Sequence, residues 1–149
     1  MEFDSEAFAG IKRQIEPLIK RHWEEIALNK DAIKLNPDWK EYARLSDSGA
    51  LRIYTAREDG DLVGYFVVIV SKSIHYKDHL FANNDIIFID KEHRKGTAGI
   101  RLIKYAVEQL QAEGITLINI NTKVHQAFDV VLERQGFNLI ERVYSKRVN

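Results

Sequence analysis

The fold is decided by residues 86–100, which read IIFIDKEHRKGTAGI. The four apolar residues that open this stretch predict a central strand. A charged turn follows, and from 98 to 111 apolar side chains recur at the spacing of one helix face, which ends at Gly114. Residues 115–120 predict a second strand. A strand, a helix and a strand in this order predict a right-handed, parallel βαβ unit.

The amino-terminal part of the chain is predicted to be helical. Seven apolar side chains lie on one helix face there, namely Phe8, Ile11, Ile15, Leu18, Ile19, Trp23 and Ile26. Ser5 is the predicted N-cap, and Pro17 predicts a kink or a break. A second, shorter helix is predicted to start at Pro37.

A β-hairpin separates these helices from the βαβ unit. From Leu51 apolar residues alternate, Asp59 and Gly60 supply a turn, and residues 62–70 continue as a buried strand. The polar segment 74–84 predicts a loop, which either lies on the surface or binds an acceptor.

The end of the chain completes a mixed sheet. After the βαβ unit, residues 125–134 predict a helix that closes at Gly136. Residues 137–148 then predict two short strands or one bent strand. The expected fold is an α/β fold with a twisted, mixed sheet and a central parallel βαβ unit flanked by helices.

The composition excludes several classes of protein. The 149 residues contain no cysteine, which excludes a disulfide scaffold, a thiolate metal site and a thiol nucleophile. The net charge of zero argues against a general nucleic-acid-binding protein. The longest apolar run is too short for a membrane span, and the acidic start does not resemble a leader. We expect one cytoplasmic domain over residues 1–149 that acts on a small partner. The oligomeric state stays open, a homodimer included.

The turn at 90–99 has the features of a phosphate-binding loop. Small residues at 96–99 allow a ligand to approach the backbone, and the first N–H groups of the following helix point outward with a partial positive charge. Arg94 and Lys95 add formal charge. The loop matches neither the Walker A motif nor the GxGxxG fingerprint, which argues against both nucleotide classes.

From Leu51 onward the chain resembles the GNAT superfamily of N-acetyltransferases in the order of its elements and in this loop. The family's loop is commonly written Arg/Gln-x-x-Gly-x-Gly/Ala. With Arg94 as the lead residue, which we prefer because the flanking strand and helix then align, the loop departs from the family at Thr97. With His93 as the lead residue, Gly96 and Ala98 fit instead.

A second resemblance lies near the carboxyl end. Residues 132–137, LERQGF, resemble the family's Tyr-x-x-x-Gly-Phe element, with Leu132 at the position of the frequent tyrosine and His125 at that of a frequent asparagine. The amino-acid sequence at residues 93–96 and 132–134 is also similar to that of acetyltransferases encoded by bacteriophages.

The resemblance implies an acetyl-CoA-dependent N-acetyltransferase that transfers the acetyl group to a small-molecule or peptide amine by direct attack on the thioester. The pyrophosphate would lie on the turn and the pantetheine along the preceding strand. The implied cofactor-binding residues are Ile87, Phe88, Ile89, Arg94, Lys95, Gly96, Thr97, Ala98, Gly99 and Ile100. The alternative is a GNAT-like module that binds CoA or a protein without catalysis, because Leu132 cannot donate a proton.

Three residues are candidates for moving protons. Asp85 and Glu92 flank the central strand and are candidate bases, of which we favour Asp85 because it lies beside the 74–84 segment. Tyr144 is the proposed replacement for the missing tyrosine as the acid. No metal site is predicted, because the histidines form no HxxxH or HxH pair on a helix and no cysteine is present.

Overall fold

The computed structural model describes residues 1–149 as a five-stranded sheet with four helices. The strands are β1 (Glu2–Ser5), β2 (Leu51–Glu58), β3 (Asp61–Lys72), β4 (Leu80–Ile89) and β5 (Leu117–Asn119). The helices are α1 (Phe8–Ile26), α2 (Trp39–Asp47), α3 (Ala98–Ala112) and α4 (Asp129–Glu133), and a single 3₁₀ turn covers Lys91–His93. No helix has the length and apolar character needed to cross a membrane.

The sheet has the strand order β1-β2-β3-β4-β5, and only β4 and β5 are parallel. The parallel βαβ unit formed by β4, α3 and β5 confirms the prediction, and α3 begins at the predicted residue. The hairpin of β2 and β3 is also confirmed. Its turn places Asp59 and Gly60 at φ values of 51° and 88°, the left-handed backbone that a tight hairpin turn with the twist of its strands requires.

The sheet separates two hydrophobic cores. On one face, α1 packs Ile11, Ile15 and Leu18 against side chains of β2, β3 and β4. On the other face, α3 packs Leu102, Ala106 and Leu110 against the opposite side chains of the same strands. Strands buried on both faces explain why residues 62–70 are almost continuously apolar.

The amino-terminal predictions were partly wrong. Ser5 is not an N-cap but the last residue of β1, which pairs with β2. The N-cap is Ala7, and the first helical N–H, that of Phe8, donates to Ser46 Oγ at 3.1 Å. The hydroxyl of Ser46, 38 residues from Phe8 in sequence, thus accepts the kind of capping hydrogen bond that was predicted for Ser5. Pro17 does not break α1, which continues to Ile26.

Two strand predictions also need correction. Residues 80–84 belong to β4 rather than to a loop, because they pair with the end of β3. Residues 137–148 form no strand, and Leu139, Val143 and Tyr144 are 74%, 81% and 89% exposed. A strand needs a neighbouring strand to pair with, and the edge strand β5 is only three residues long, so it offers little to pair with residues 137–148. The last helix is likewise shorter than predicted, since α4 begins at Asp129.

Candidate active site

The turn between β4 and α3 presents a row of free backbone donors. None of the N–H groups of residues 95–100 donates to a carbonyl of the chain, and Thr97 caps α3 without a side-chain hydrogen bond. The first turn of a helix carries a partial positive charge, and Lys95 beside it makes no ion pair. The turn therefore offers a site for an anionic group such as a pyrophosphate.

The backbone of this turn shows where small residues are needed. Gly96 has a φ of +82°, which residues with a side chain rarely adopt. Ala98 is 5% exposed and packs into the core beneath α3. Gly99 lies in regular helix, where an added methyl group would make only an ordinary contact with Ile89. The fold itself therefore requires small residues at positions 96 and 98, the two that fit the family in the register that starts at His93, although His93 does not match the family's lead residue.

Arg94 does not point at the free N–H groups. Its guanidinium forms two hydrogen bonds with Glu25 of α1, at 2.5 and 2.6 Å, and its Nε donates to the Ile89 carbonyl at 2.7 Å. These hydrogen bonds hold the pKa of the Glu25 carboxyl below its usual value. A second ion pair joins Arg21 of α1 to Asp90 at 2.6 Å. Arg94 therefore fixes the turn to α1 in this structure, and its role as a direct phosphate contact stays a prediction.

The strand before the turn has a free edge. β5 pairs only with Phe81, Ala82 and Asn83, so residues 85–89 of β4 have no neighbouring strand on that side. The other edge of β4 is fully paired with β3, except at a β-bulge. Bulges often re-aim a side chain beside an active site, and here the extra residue of the bulge is Asp85.

A cavity of about 460 Å³ opens beside this bulge. Its floor includes Asp85 and Ile86 of β4, and its walls come from α1, from the loop between α1 and α2, and from α2. The apolar lining includes Ile19, Trp23, Ile26, Ile33, Leu35 and Pro37. Three lining residues carry formal charges, namely Asp85, Lys34 and Lys123.

Asp85 is the only acidic group that lines the cavity. Its carboxylate accepts a hydrogen bond from the hydroxyl of Tyr42, with the two oxygens 3.2 Å apart. The Asp85 side chain keeps an exposed part, and its partial burial raises the pKa of the carboxyl; the hydrogen bond from Tyr42 opposes this effect only in part. A carboxylate with a raised pKa in a cavity is a better proton acceptor than an ordinary surface aspartate.

A buried histidine that lines the cavity is not among the residues predicted from the sequence. His22 is 6% exposed, its Nδ1 lies 2.8 Å from the hydroxyl of Tyr65, and its ring stacks on Phe88 at 4.8 Å. Burial lowers the pKa of His22 to about 4, so the ring is neutral at pH 7. The sequence does contain a signal for a buried histidine, because His22 lies at helical spacing from Ile15, Leu18 and Ile19 on the apolar face of α1.

The other candidate catalytic residues do not join Asp85. Glu92 is exposed in the 3₁₀ turn that follows β4, and it does not line the cavity. Tyr144 is 89% exposed and also lies outside the cavity. Leu132, at the position of the family's tyrosine, is 7% exposed and carries no titratable group. The structure thus provides a candidate base, whereas neither predicted acid position lies beside it; the tyrosine that does is Tyr42, whose hydroxyl donates to Asp85.

The fold is shared with solved acetyltransferases of several kinds. A ribosomal-protein-alanine N-acetyltransferase from Brucella melitensis superposes with a TM-score of 0.73 and 16% identity, covering 99% of both chains. An aminoglycoside acetyltransferase from an uncultured soil metagenomic sample gives 0.75 and 18% over 100% of both chains. Glucosamine-6-phosphate N-acetyltransferase from Arabidopsis thaliana gives 0.71 and 13%, again over 100% of both chains. No curated protein matches the sequence.

These superpositions show the fold, whereas the family assignment rests on the sequence. Residues 14–137 match the acetyltransferase (GNAT) family, a range that contains β4, the turn, α3, the cavity residues and α4. The chain therefore belongs to the GNAT family of acyl-CoA-dependent N-acetyltransferases.

Proposed function

We propose that the protein transfers an acetyl group from acetyl-CoA to a primary amine that binds in the cavity above Asp85. The observation that carries this proposal is the continuity of three features along β4. The cavity lies at Asp85 and Ile86, the free strand edge at 87–89, and the free N–H groups at 95–100. Together they offer an amine site, a strand edge and an anion site in one line.

The residues of the turn and strand fit acetyl-CoA, whose thioester supplies the activated acetyl group. The N–H groups of Thr97, Ala98, Gly99 and Ile100 would receive the pyrophosphate, with Lys95 adding charge. Gly96 supplies the left-handed backbone of the turn. Ile87 and Phe88 present the free edge that would pair with the pantetheine, whereas the Ile89 carbonyl already accepts from Arg94.

Asp85 serves as the base in the proposed reaction. The acceptor reacts as the neutral amine: its nitrogen attacks the thioester carbonyl carbon, and Asp85 takes the N–H proton that this nitrogen then loses, directly or through a water. A C–N bond forms, the C–S bond breaks, and the sulfur leaves as the thiolate. A backbone N–H of β4 stabilises the charge on the carbonyl oxygen. A thiolate is stable enough near neutral pH to leave without a dedicated acid, in agreement with the exposed position of Tyr144.

The identity of the acceptor does not transfer from the structural relatives. Their names refer to a ribosomal protein, an aminoglycoside and an amino sugar phosphate, all on one fold. A shared fold does not determine the substrate, because specificity depends on the residues of the site.

Thermal unfolding tests the cofactor assignment. Acetyl-CoA at a hundredfold excess over its Kd should stabilise the native state by about 2.7 kcal/mol. For a chain of this length this corresponds to a rise in Tm of about 5 to 10 °C. ATP with magnesium, and NAD, serve as controls. An unmoved Tm with acetyl-CoA and a raised one with ATP would refute the proposal.

A pair of variants tests the location. Gly99→Glu places a carboxylate among the N–H groups of the turn and should abolish or strongly weaken CoA binding in calorimetry. Gly99→Gln adds the same bulk without the charge, so it should bind CoA more tightly than Gly99→Glu. Equal, unimpaired CoA affinity in two well-folded variants would show that the pyrophosphate lies elsewhere.

A further inference from the structure

The charges that face the cavity are one carboxylate and two ammonium groups. Asp85 lies on the floor, Lys34 comes from the loop after α1, and Lys123 comes from the segment after β5. Neither lysine forms an ion pair, although Lys34 Nζ donates to the Lys30 carbonyl at 2.6 Å. The nearby acid Glu25 does not line the cavity and is paired with Arg94. The cavity itself therefore has a net positive charge.

Between these charges the cavity wall is mostly apolar. Ile19, Trp23 and Ile26 contribute from α1, and Ile33 and Leu35 contribute from the following loop, where they are 56% and 37% exposed. Apolar residues left open to a cavity gain free energy when an apolar ligand covers them. These apolar side chains offer no hydrogen-bond partners to a ligand rich in hydroxyl groups. Besides the charged groups, the polar side chains of the lining are those of His22, Asn36 and Tyr42.

From this arrangement we infer that the acceptor is a monoamine on a compact apolar body that also carries an anionic group, a carboxylate or a phosphate. The inference rests on the proposed acetyl transfer and specifies its acceptor. Asp85 receives the amine, the apolar body covers the wall from Trp23 to Leu35, and Lys34 and Lys123 receive the anion. Polyamines and polycationic sugars fit poorly, because one carboxylate would face several ammonium groups beside two lysines.

The volume limits the size of the acceptor. About 460 Å³ lies in the lower part of the range of small-molecule sites, which runs from about 300 to 1,000 Å³. A primary alkylamine that carries one or two aromatic rings is thus a suitable probe.

A matched pair of amines tests the inference with acetyl-CoA as donor. Phenethylamine and para-carboxyphenethylamine share the apolar body and the amine, and they differ by one carboxylate. We expect kcat/KM to be about tenfold higher for the carboxylated amine, the effect of one charge-assisted contact. Spermidine and kanamycin, as a polyamine and a polycationic sugar, should be used less well than either.

A variant then assigns the preference to the cavity. Lys123→Gln should reduce the tenfold preference for the carboxylated amine to about threefold or less, because one of two cations is lost. Lys20→Gln, on the exposed side of α1 and outside the cavity, makes the same change in charge and should leave the preference unchanged.

Three results would overturn the inference. They are faster acetylation of spermidine or kanamycin, equal use of the two phenethylamines, or a preference that Lys123→Gln does not alter. If acetyl-CoA raises the Tm but neither phenethylamine is acetylated, the acceptor class is wrong while the cofactor site stands. If acetyl-CoA does not raise the Tm, the proposed function itself fails.

Discussion

Replacing Gly96 by alanine is expected to destabilise the protein, whereas the same change at Gly99 is expected to stabilise it. Gly96 has a φ of +82°, and a residue with a Cβ loses about 1 to 2 kcal/mol in the left-handed region. No atom lies within 4 Å of the place where the new methyl group would lie, so this cost is backbone strain and not a clash.

Gly99 supplies the matched comparison in the first turn of α3. A methyl group there would lie 3.9 Å from Ile89 Cδ1, an ordinary contact, and alanine is favoured over glycine in helices by up to about 1 kcal/mol. Both changes restrict the unfolded chain equally, so that contribution cancels between them. The two unfolding free energies should therefore differ by about 2 kcal/mol, with Gly99→Ala the more stable.

Urea unfolding followed by circular dichroism measures this difference, and the Tm values should differ by about 4 to 8 °C. Gly10→Ala is a useful control, because Gly10 lies in α1 with open space around it and should behave like Gly99. If Gly96→Ala is as stable as Gly99→Ala, then the turn does not need a left-handed residue at 96. The arrangement of N–H groups described above would then be incorrect.

Three further predictions concern the surroundings of the site. Asp85→Asn should lower kcat/KM by about 10²- to 10⁴-fold and leave acetyl-CoA affinity unchanged. The wild-type rate should fall as the pH drops toward the raised pKa of Asp85, and near wild-type turnover of the variant would exclude Asp85 as the base. Arg94→Ala should lose about 2 kcal/mol of stability, from a half-exposed ion pair with Glu25 and the bond to the Ile89 carbonyl. Arg94→Lys should recover only part of it, because lysine cannot bond both carboxylate oxygens and that carbonyl; full recovery in denaturant titrations would contradict the described geometry. The folded state holds His22 neutral down to a pKa of about 4, against 6.5 when unfolded, so stability should fall by about 3 kcal/mol as the pH drops from 6.5 to 4. His22→Gln should lack this loss, and parallel pH profiles for the two proteins would show that His22 is not the cause.

The βαβ unit could be predicted because local order decides it. A β-branched run, a turn with small residues and an apolar helix face follow each other in residues 86–111, and each element forms from its own pattern. The same applies to the hairpin at Asp59 and Gly60. The candidate base Asp85 and the loop at 94–99 were located in the same way, although their contacts were not.

Pairing between distant elements could not be predicted from periodicity. The sequence pattern gives no sign of β1 and predicts Ser5 as an N-cap, since four residues with mostly exposed side chains show no pattern until β2 lies beside them. The opposite error occurred at 137–148, where alternating apolar residues suggest strands that find no partner. Strand formation depends on a neighbour, and the neighbour depends on the whole fold.

The sequence by itself determined the family, the order of the central elements and the place of the turn that we propose as the cofactor loop. Only the tertiary structure decided which side chains meet: Tyr42 and Asp85 are 43 residues apart, as are His22 and Tyr65, and Glu25 and Arg94 are 69 apart. These pairs form because α1 and α2 pack across the face of β3 and β4. The angle and depth of that packing are set by the combined shape of many apolar side chains, which no local motif encodes.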